Sequence, residues 1–120
     1  MARVLVIDDH APIRVLLRKA LEGNGHEVLE ASNGRLGLEL YRESPVDLII
    51  TDVVMPEMNG SEMMMDLIRD FPNAKVIAMS GFIENARQLN AAKLFGVRQT
   101  FQKPFDVGKL LSAVRYELAH

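Results

Sequence analysis

The sequence predicts a doubly wound α/β sandwich, with a five-stranded parallel sheet in the order 2-1-3-4-5 and helices on both faces. Short apolar runs alternate with longer stretches of helical period along the whole chain, which is the pattern of repeated βα units. The first, third and fourth runs are continuously apolar, as strands covered on both faces must be, whereas the second and fifth carry polar residues suited to sheet edges. Right-handed crossovers then allow the order 2-1-3-4-5, one of the common doubly wound, flavodoxin-like solutions.

The elements follow in order. Val4-Leu5-Val6-Ile7 is the first strand, and Ile13, Leu16, Leu17, Ala20 and Leu21 recur at helical spacing behind it. Asn24-Gly25 marks the turn into the second strand, centred on Val28-Leu29 and flanked by Glu27 and Glu30. Asn33-Gly34 opens a helix over 34–43, and Ser44-Pro45 closes it before Leu48-Ile49-Ile50. Met64, Leu67, Ile68 and Phe71 form the stripe of a third helix, ended by Pro72-Asn73. Val76-Ile77-Ala78-Met79 is the fourth strand, a less regular helix is expected over 84–95, and Gly96 precedes a polar fifth strand from Val97 to Gln102. Val107, Leu110, Leu111 and Val114 give the last helix its apolar face. Met63-Met64-Met65 lies within the third helix and reads as packing rather than as a soft-metal site.

Composition bounds the function. A chain of 120 residues and 13.4 kDa fits one domain, taken as 1–120, with a core large enough to be stable without disulfides or structural metal. Cysteine is absent, so thiolate zinc sites and cysteine nucleophiles are excluded. Fourteen basic against 16 acidic residues give a net charge of -2, which argues against direct binding to nucleic acid. No apolar run approaches the roughly 18 residues that span a bilayer, so no membrane partner is expected and the default location is cytoplasmic.

In this fold, ligands bind beyond the carboxyl ends of the strands at the point where the strand order reverses, next to strands one and three. Asp8 and Asp9 follow strand one, and Asp52 stands two residues after Ile50. Taken alone, Asp8-Asp9 is as well explained by a helix-capping turn. Converging with Asp52, the three carboxylates would repel unless a cation sat among them, and oxygen ligands without cysteine suit Mg²⁺, with Mn²⁺ as the alternative. Ser80 ends strand four and Lys103-Pro104-Phe105 follows strand five, which adds a hydroxyl and an ammonium at the same edge. Together these groups suit a phosphoryl group, with a carboxylate as nucleophile forming an aspartyl phosphate. Position and charge leave open which of the three aspartates that is. His10, beside the acidic pair, reads as a loop residue, and His26 and His120 are scattered.

From Arg3 to about Leu118 the chain resembles the receiver domain of two-component response regulators. The resemblance rests on Val6-Ile7-Asp8-Asp9, on Asp52-Val53-Val54-Met55-Pro56-Glu57-Met58-Asn59-Gly60, on Met79-Ser80-Gly81 and on Lys103-Pro104-Phe105, all in register. It implies that Asp52 accepts the phosphoryl group, that Asp9 binds Mg²⁺ directly with Asp8 contributing, and that the Val54 carbonyl is a further ligand. Ser80 and Lys103 would hold phosphoryl oxygens, and the Lys103-Pro104 peptide would be cis. The implied partners are a sensor histidine kinase or histidine phosphotransfer protein and an unknown output protein or domain, with dimerisation on phosphorylation as an option. The chain would then be a free-standing receiver or a piece of a longer regulator or hybrid kinase. A phosphorylation-independent interaction module is the alternative. A small phosphatase is disfavoured, because Asp52-Val53-Val54 has no second acid two residues on.

Two departures from the family pattern stand out. Three residues before Lys103, where the family commonly has Tyr or Phe, stands Thr100, while strand alternation turns the neighbouring Phe101 to the other face, toward the core. Phosphorylation is therefore expected to shift the loop after Ser80 and the face of the fourth helix, fifth strand and fifth helix without the usual ring rotation. Positions 54 and 82, which in the family flank the phosphoryl group, hold Val54 and Phe82, and neither side chain can orient a water. Self-dephosphorylation should therefore be slow. Introducing Val54→Asn with Phe82→Glu should shorten the phosphorylated lifetime, followed as decay of a radiolabelled adduct; an unchanged lifetime would count against the apolar-shield account.

Overall fold

In a computed structural model of the chain, the described residues are 2–52, 66, 67, 69–80 and 97–120, with Ser80 described by its backbone alone. Five strands, β1 (Arg3–Ile7), β2 (Glu27–Ala31), β3 (Leu48–Asp52), β4 (Val76–Ser80) and β5 (Gln99–Gln102), form one parallel sheet in the order β2-β1-β3-β4-β5. This is the predicted architecture, with the two polar strands at the edges. Helices α1 (Ala11–Gly23) and α2 (Gly34–Glu43) and a C-terminal helix (Val107–Ala119) are present, and Asp66, Leu67, Arg69 and Asp70 are helical. The helix expected over 84–95 lies outside the described residues.

Strand alternation divides the core into two layers. Val4, Val6, Leu48, Ile50, Ile77 and Met79 pack with Leu17 and Leu21 of α1 and with Leu110, Ala113 and Val114 of the C-terminal helix. Leu5, Ile7, Ile49 and Ala78 face the opposite side, with Leu38 and Tyr41 of α2 and with Leu67. Phe101 packs against the first of these layers, as strand alternation predicts.

Helix ends follow local chemistry. α1 closes in a Schellman motif: the His26 amide donates to the Leu21 carbonyl at 3.1 Å and the Gly25 amide to Glu22 at 2.9 Å. Gly25 sits at φ +87°, a conformation open to glycine at no steric cost. Asn33 caps α2 by accepting from the Leu36 amide at 2.9 Å, and Asp106 caps the C-terminal helix by accepting from the Lys109 amide at 3.1 Å. α1 has no side-chain cap. Its N-cap residue is His10, and Pro12 in the first turn removes one otherwise unpaired donor.

One departure matters for the site. β3 runs on through Thr51 to Asp52, instead of ending at Ile50, and Asp52 pairs in register with Met79 of β4. Thr51 is fully buried with its hydroxyl donating to the Asp52 carbonyl at 2.9 Å, so two polar residues continue a strand whose surroundings satisfy them.

Where α2 crosses β1, Gly37 lies so close to Ile7 that a Cβ there would collide with Ile7 Cδ1 and Cγ1. Ile7 is buried and cannot swing away. Gly37→Ala should therefore lower stability, because an overpacking cost of about 1–3 kcal/mol outweighs the helix-propensity gain of up to about 1 kcal/mol. Urea unfolding should show a reduced midpoint that Ile7→Val partly restores in the same background; a midpoint at or above wild type would refute the close-packing assignment.

Candidate functional site

The parallel register brings the carboxyl ends of β1, β3 and β5 together. Ile7 lies opposite Thr51, Asp52 opposite Met79 and Met79 opposite Phe101, so Asp8, Asp52 and Lys103 emerge on one edge of the sheet. Lys103 Nζ donates to Asp8 Oδ2 at 2.6 Å and to Asp52 Oδ2 at 2.8 Å. Asp8 is fully buried, the Asp52 side chain is 8% exposed and that of Lys103 16%. The Lys103-Pro104 peptide is cis.

Asp9 is exposed beside these three, and oxygens of Asp8, Asp9 and Asp52 lie within 4.8 Å of one another. Among the described residues three carboxylates face one ammonium, an imbalance that a divalent cation would neutralise. An all-oxygen donor set without sulfur suits a hard ion such as Mg²⁺. Asp8 is also held from three other directions. Its amide donates to the Ala31 carbonyl at 3.1 Å, its Oδ1 accepts from the His10 amide at 2.8 Å, and its carbonyl accepts from Arg14 Nη1 at 2.7 Å. Asp8 therefore does not cap α1: one carboxylate oxygen closes the turn ahead of the helix by accepting from the His10 amide, while the other meets Lys103.

The family model of the response regulator receiver domain matches residues 4–115. The chain belongs to that family. The chemotaxis protein CheY of Thermotoga maritima is 36% identical over 113 residues, covering 93% of each chain. The sensor kinase CckA of Brucella abortus is 36% identical over 118 residues, a match that takes in 95% of this chain and 12% of that kinase. Among solved structures, the response regulator protein TrrA of Thermotoga maritima, in complex with Mg(2+)-BeF, is similar with a TM-score of 0.86 and 28% identity, covering 98% of this chain and 99% of that one.

Of the residues singled out from the receiver pattern, the structure brings together Asp8, Asp9, Asp52 and Lys103. Ser80 closes β4 one register step from Asp52, and its backbone pairs with Gln102. The Ser80 side chain, Val54, Phe82 and the segment 53–60 lie outside the described residues. Thr100 is half-buried opposite Ala78, on the face away from Phe101. His10 is exposed and serves the start of α1 through its backbone, in line with a loop role. The sequence reading missed Arg14 and its partner Glu30, because an arginine on the polar face of an amphipathic helix reads as a solvated charge.

Burial by itself would lower the Lys103 pKa, but the hydrogen bonds it donates to Asp52 and Asp8, reinforced by their charges, hold it above the ordinary lysine value of 10.5. The folded state thus binds this proton more tightly than the unfolded chain does. The resulting stability is complete below pH 10.5 and is lost as pH rises through the raised folded value. Lys103→Met should remove that alkaline loss and cost about 3 kcal/mol at neutral pH by taking the shared ammonium away from two buried carboxylates. Urea midpoints compared between variant and wild type from about pH 8 to about pH 11.5 provide the check; parallel curves would show that Lys103 does not carry the alkaline transition.

Proposed function

We propose that this receiver is a phosphoacceptor switch that takes a phosphoryl group from a phosphohistidine donor onto Asp52 in a Mg²⁺-dependent reaction. The observation that carries it is the Lys103 ammonium shared between Asp8 and Asp52, with Asp9 alongside. In this reading an Asp52 carboxylate oxygen attacks phosphorus, the P–N bond to the donor imidazole breaks, and the departing imidazole keeps the bonding pair and recovers a proton from solvent. Lys103 offsets the charge of the transferred phosphoryl oxygens, a contact it can reach because it already lies against Asp52. Asp8, Asp9, Asp52 and the Val54 carbonyl are the groups that would hold Mg²⁺, which when bound would neutralise phosphoryl oxygens as a Lewis acid. Ser80 would donate a hydrogen bond to the same group. The Mg(2+)-BeF complex of TrrA, a protein of the same family, supports this assignment.

The switch would pass its signal by changing a surface presented to an output protein or domain. Thr100 places no ring beside β4, so the shift is assigned to the segment after Ser80, to the helix expected over 84–95, and to the fifth strand and last helix. Residues 1–120 are read as one receiver domain. The match to a small fraction of CckA is compatible with placement inside a longer protein, while the match to CheY is compatible with a free-standing one. A cytoplasmic site of action fits a histidine-kinase donor. Among the described residues, no helix is long and apolar enough to cross a membrane.

Incubation with a small-molecule acyl phosphate and Mg²⁺, followed by mass spectrometry, should show a single added phosphoryl group that is absent in Asp52→Asn and without Mg²⁺. No adduct with any donor would instead favour a phosphorylation-independent interaction module, and steady turnover of varied phosphate esters would favour a phosphatase.

A further inference from the structure

Arg14 reaches from α1 back to the end of β1. Its Nη1 donates to the Asp8 main-chain carbonyl at 2.7 Å, while its Nε pairs with Glu30 Oε1 at 3.2 Å. Arg18 lies on the other side of Glu30, with Nε 3.1 Å from Oε2 but not hydrogen-bonded to it, and its Nη2 donates to the Val28 carbonyl at 2.9 Å. The side chains of Arg14 and Glu30 are only 19% and 23% exposed, so the pair is screened far less than a surface ion pair. A planar guanidinium anchored on one side by a carboxylate presents its remaining donors in a fixed direction.

We propose that Arg14, oriented by Glu30, is a positioning residue for the acidic centre. The Asp8 carbonyl lies in the same rigid plane as the Asp9 amide and Cα, so a donor that fixes this carbonyl fixes how Asp9 leaves the strand. The other polar atoms of Asp8 are already engaged by Ala31, His10 and Lys103. Asp9 is the exposed member of the trio, and the peptide plane held by Arg14 is what ties it to the buried part. Arg18 shares Glu30 but makes no contact with Asp8 among its described bonds, which separates the positioning role from the edge contacts of β2.

This inference rests on the reading that the three aspartates hold a divalent cation, and metal affinity tests it without phosphoryl transfer. Calorimetric titration of the full chain with Mg²⁺, no phosphodonor present, should give an affinity weakened about tenfold in Arg14→Ala, in the range known for partners that orient metal ligands. Arg14→Lys should recover part of the loss, because an ammonium can still reach the carbonyl. Arg18→Ala should stay within about twofold of wild type, since it leaves the Asp8 contact in place. Should Arg14→Ala fail to fold, Glu30→Gln keeps Arg14 but loosens its anchor and should weaken Mg²⁺ by an intermediate factor. Wild-type affinity in Arg14→Ala or Glu30→Gln, or equal losses in Arg14→Ala and Arg18→Ala, would overturn the positioning role alone. A wild-type chain that takes up no Mg²⁺ would overturn the metal reading and this inference with it.

Discussion

The ammonium of Lys103, held 2.6 Å from one buried carboxylate and 2.8 Å from another, joins residues 95 and 51 positions apart in the chain. Two carboxylates cannot be buried side by side without a countercharge, since each alone would lose several kcal/mol of hydration. The sheet must therefore deliver the ends of β1, β3 and β5 to one place. The order β2-β1-β3-β4-β5 does so, because β1 and β3 are adjacent at the centre and β5 lies two strands from β3. A long lysine side chain bridges the remaining distance across the end of β4. Such a bridge adds little net stability once desolvation is counted, so on the proposed function its value lies in fixing a charged constellation that could meet a phosphoryl group.

Around that bridge the structure ties down one residue above all. Every polar atom of Asp8 has a partner: a neighbouring strand, the N-cap residue of α1, Lys103 and Arg14. The same residue thus follows a strand, closes the turn ahead of a helix and lines the site, leaving little freedom for its carboxylate. Asp9, one residue on, is exposed, as a ligand meeting an ion from solvent would need to be. Rigidity at Asp8 and access at Asp9 would suit the metal-holding roles proposed for them, with Asp52 held beside them by the same lysine.

Much of this was legible in the sequence, for identifiable reasons. Continuous apolar runs located β1, β3 and β4, and the polar flanks of Val28-Leu29 and of Phe101 placed β2 and β5 at the edges, because burial on two faces forbids charge. Asp8, Asp9, Asp52 and Lys103 could be found because the fold sends strand ends to one edge. The continuation of β3 through Thr51 and Asp52 was not legible: both residues are poor evidence for a strand by apolar pattern, and only the hydroxyl bond and the neighbouring β4 satisfy them. The Gly37–Ile7 contact and the Arg14 reach to Asp8 were hidden for the same reason. Each depends on how closely two elements approach, which no periodicity records.

The central claim is that Asp52, presented beside Lys103 and two further aspartates, is the atom-level acceptor. A crystal structure of the chain with Mg²⁺ and beryllium fluoride tests it most directly. The account predicts beryllium bonded to a carboxylate oxygen of Asp52, a fluorine contacted by Lys103 Nζ, and Mg²⁺ ligated by Asp9. Beryllium on another residue, or an adduct with Lys103 still bridging Asp8 and Asp52 and touching no fluorine, would contradict it.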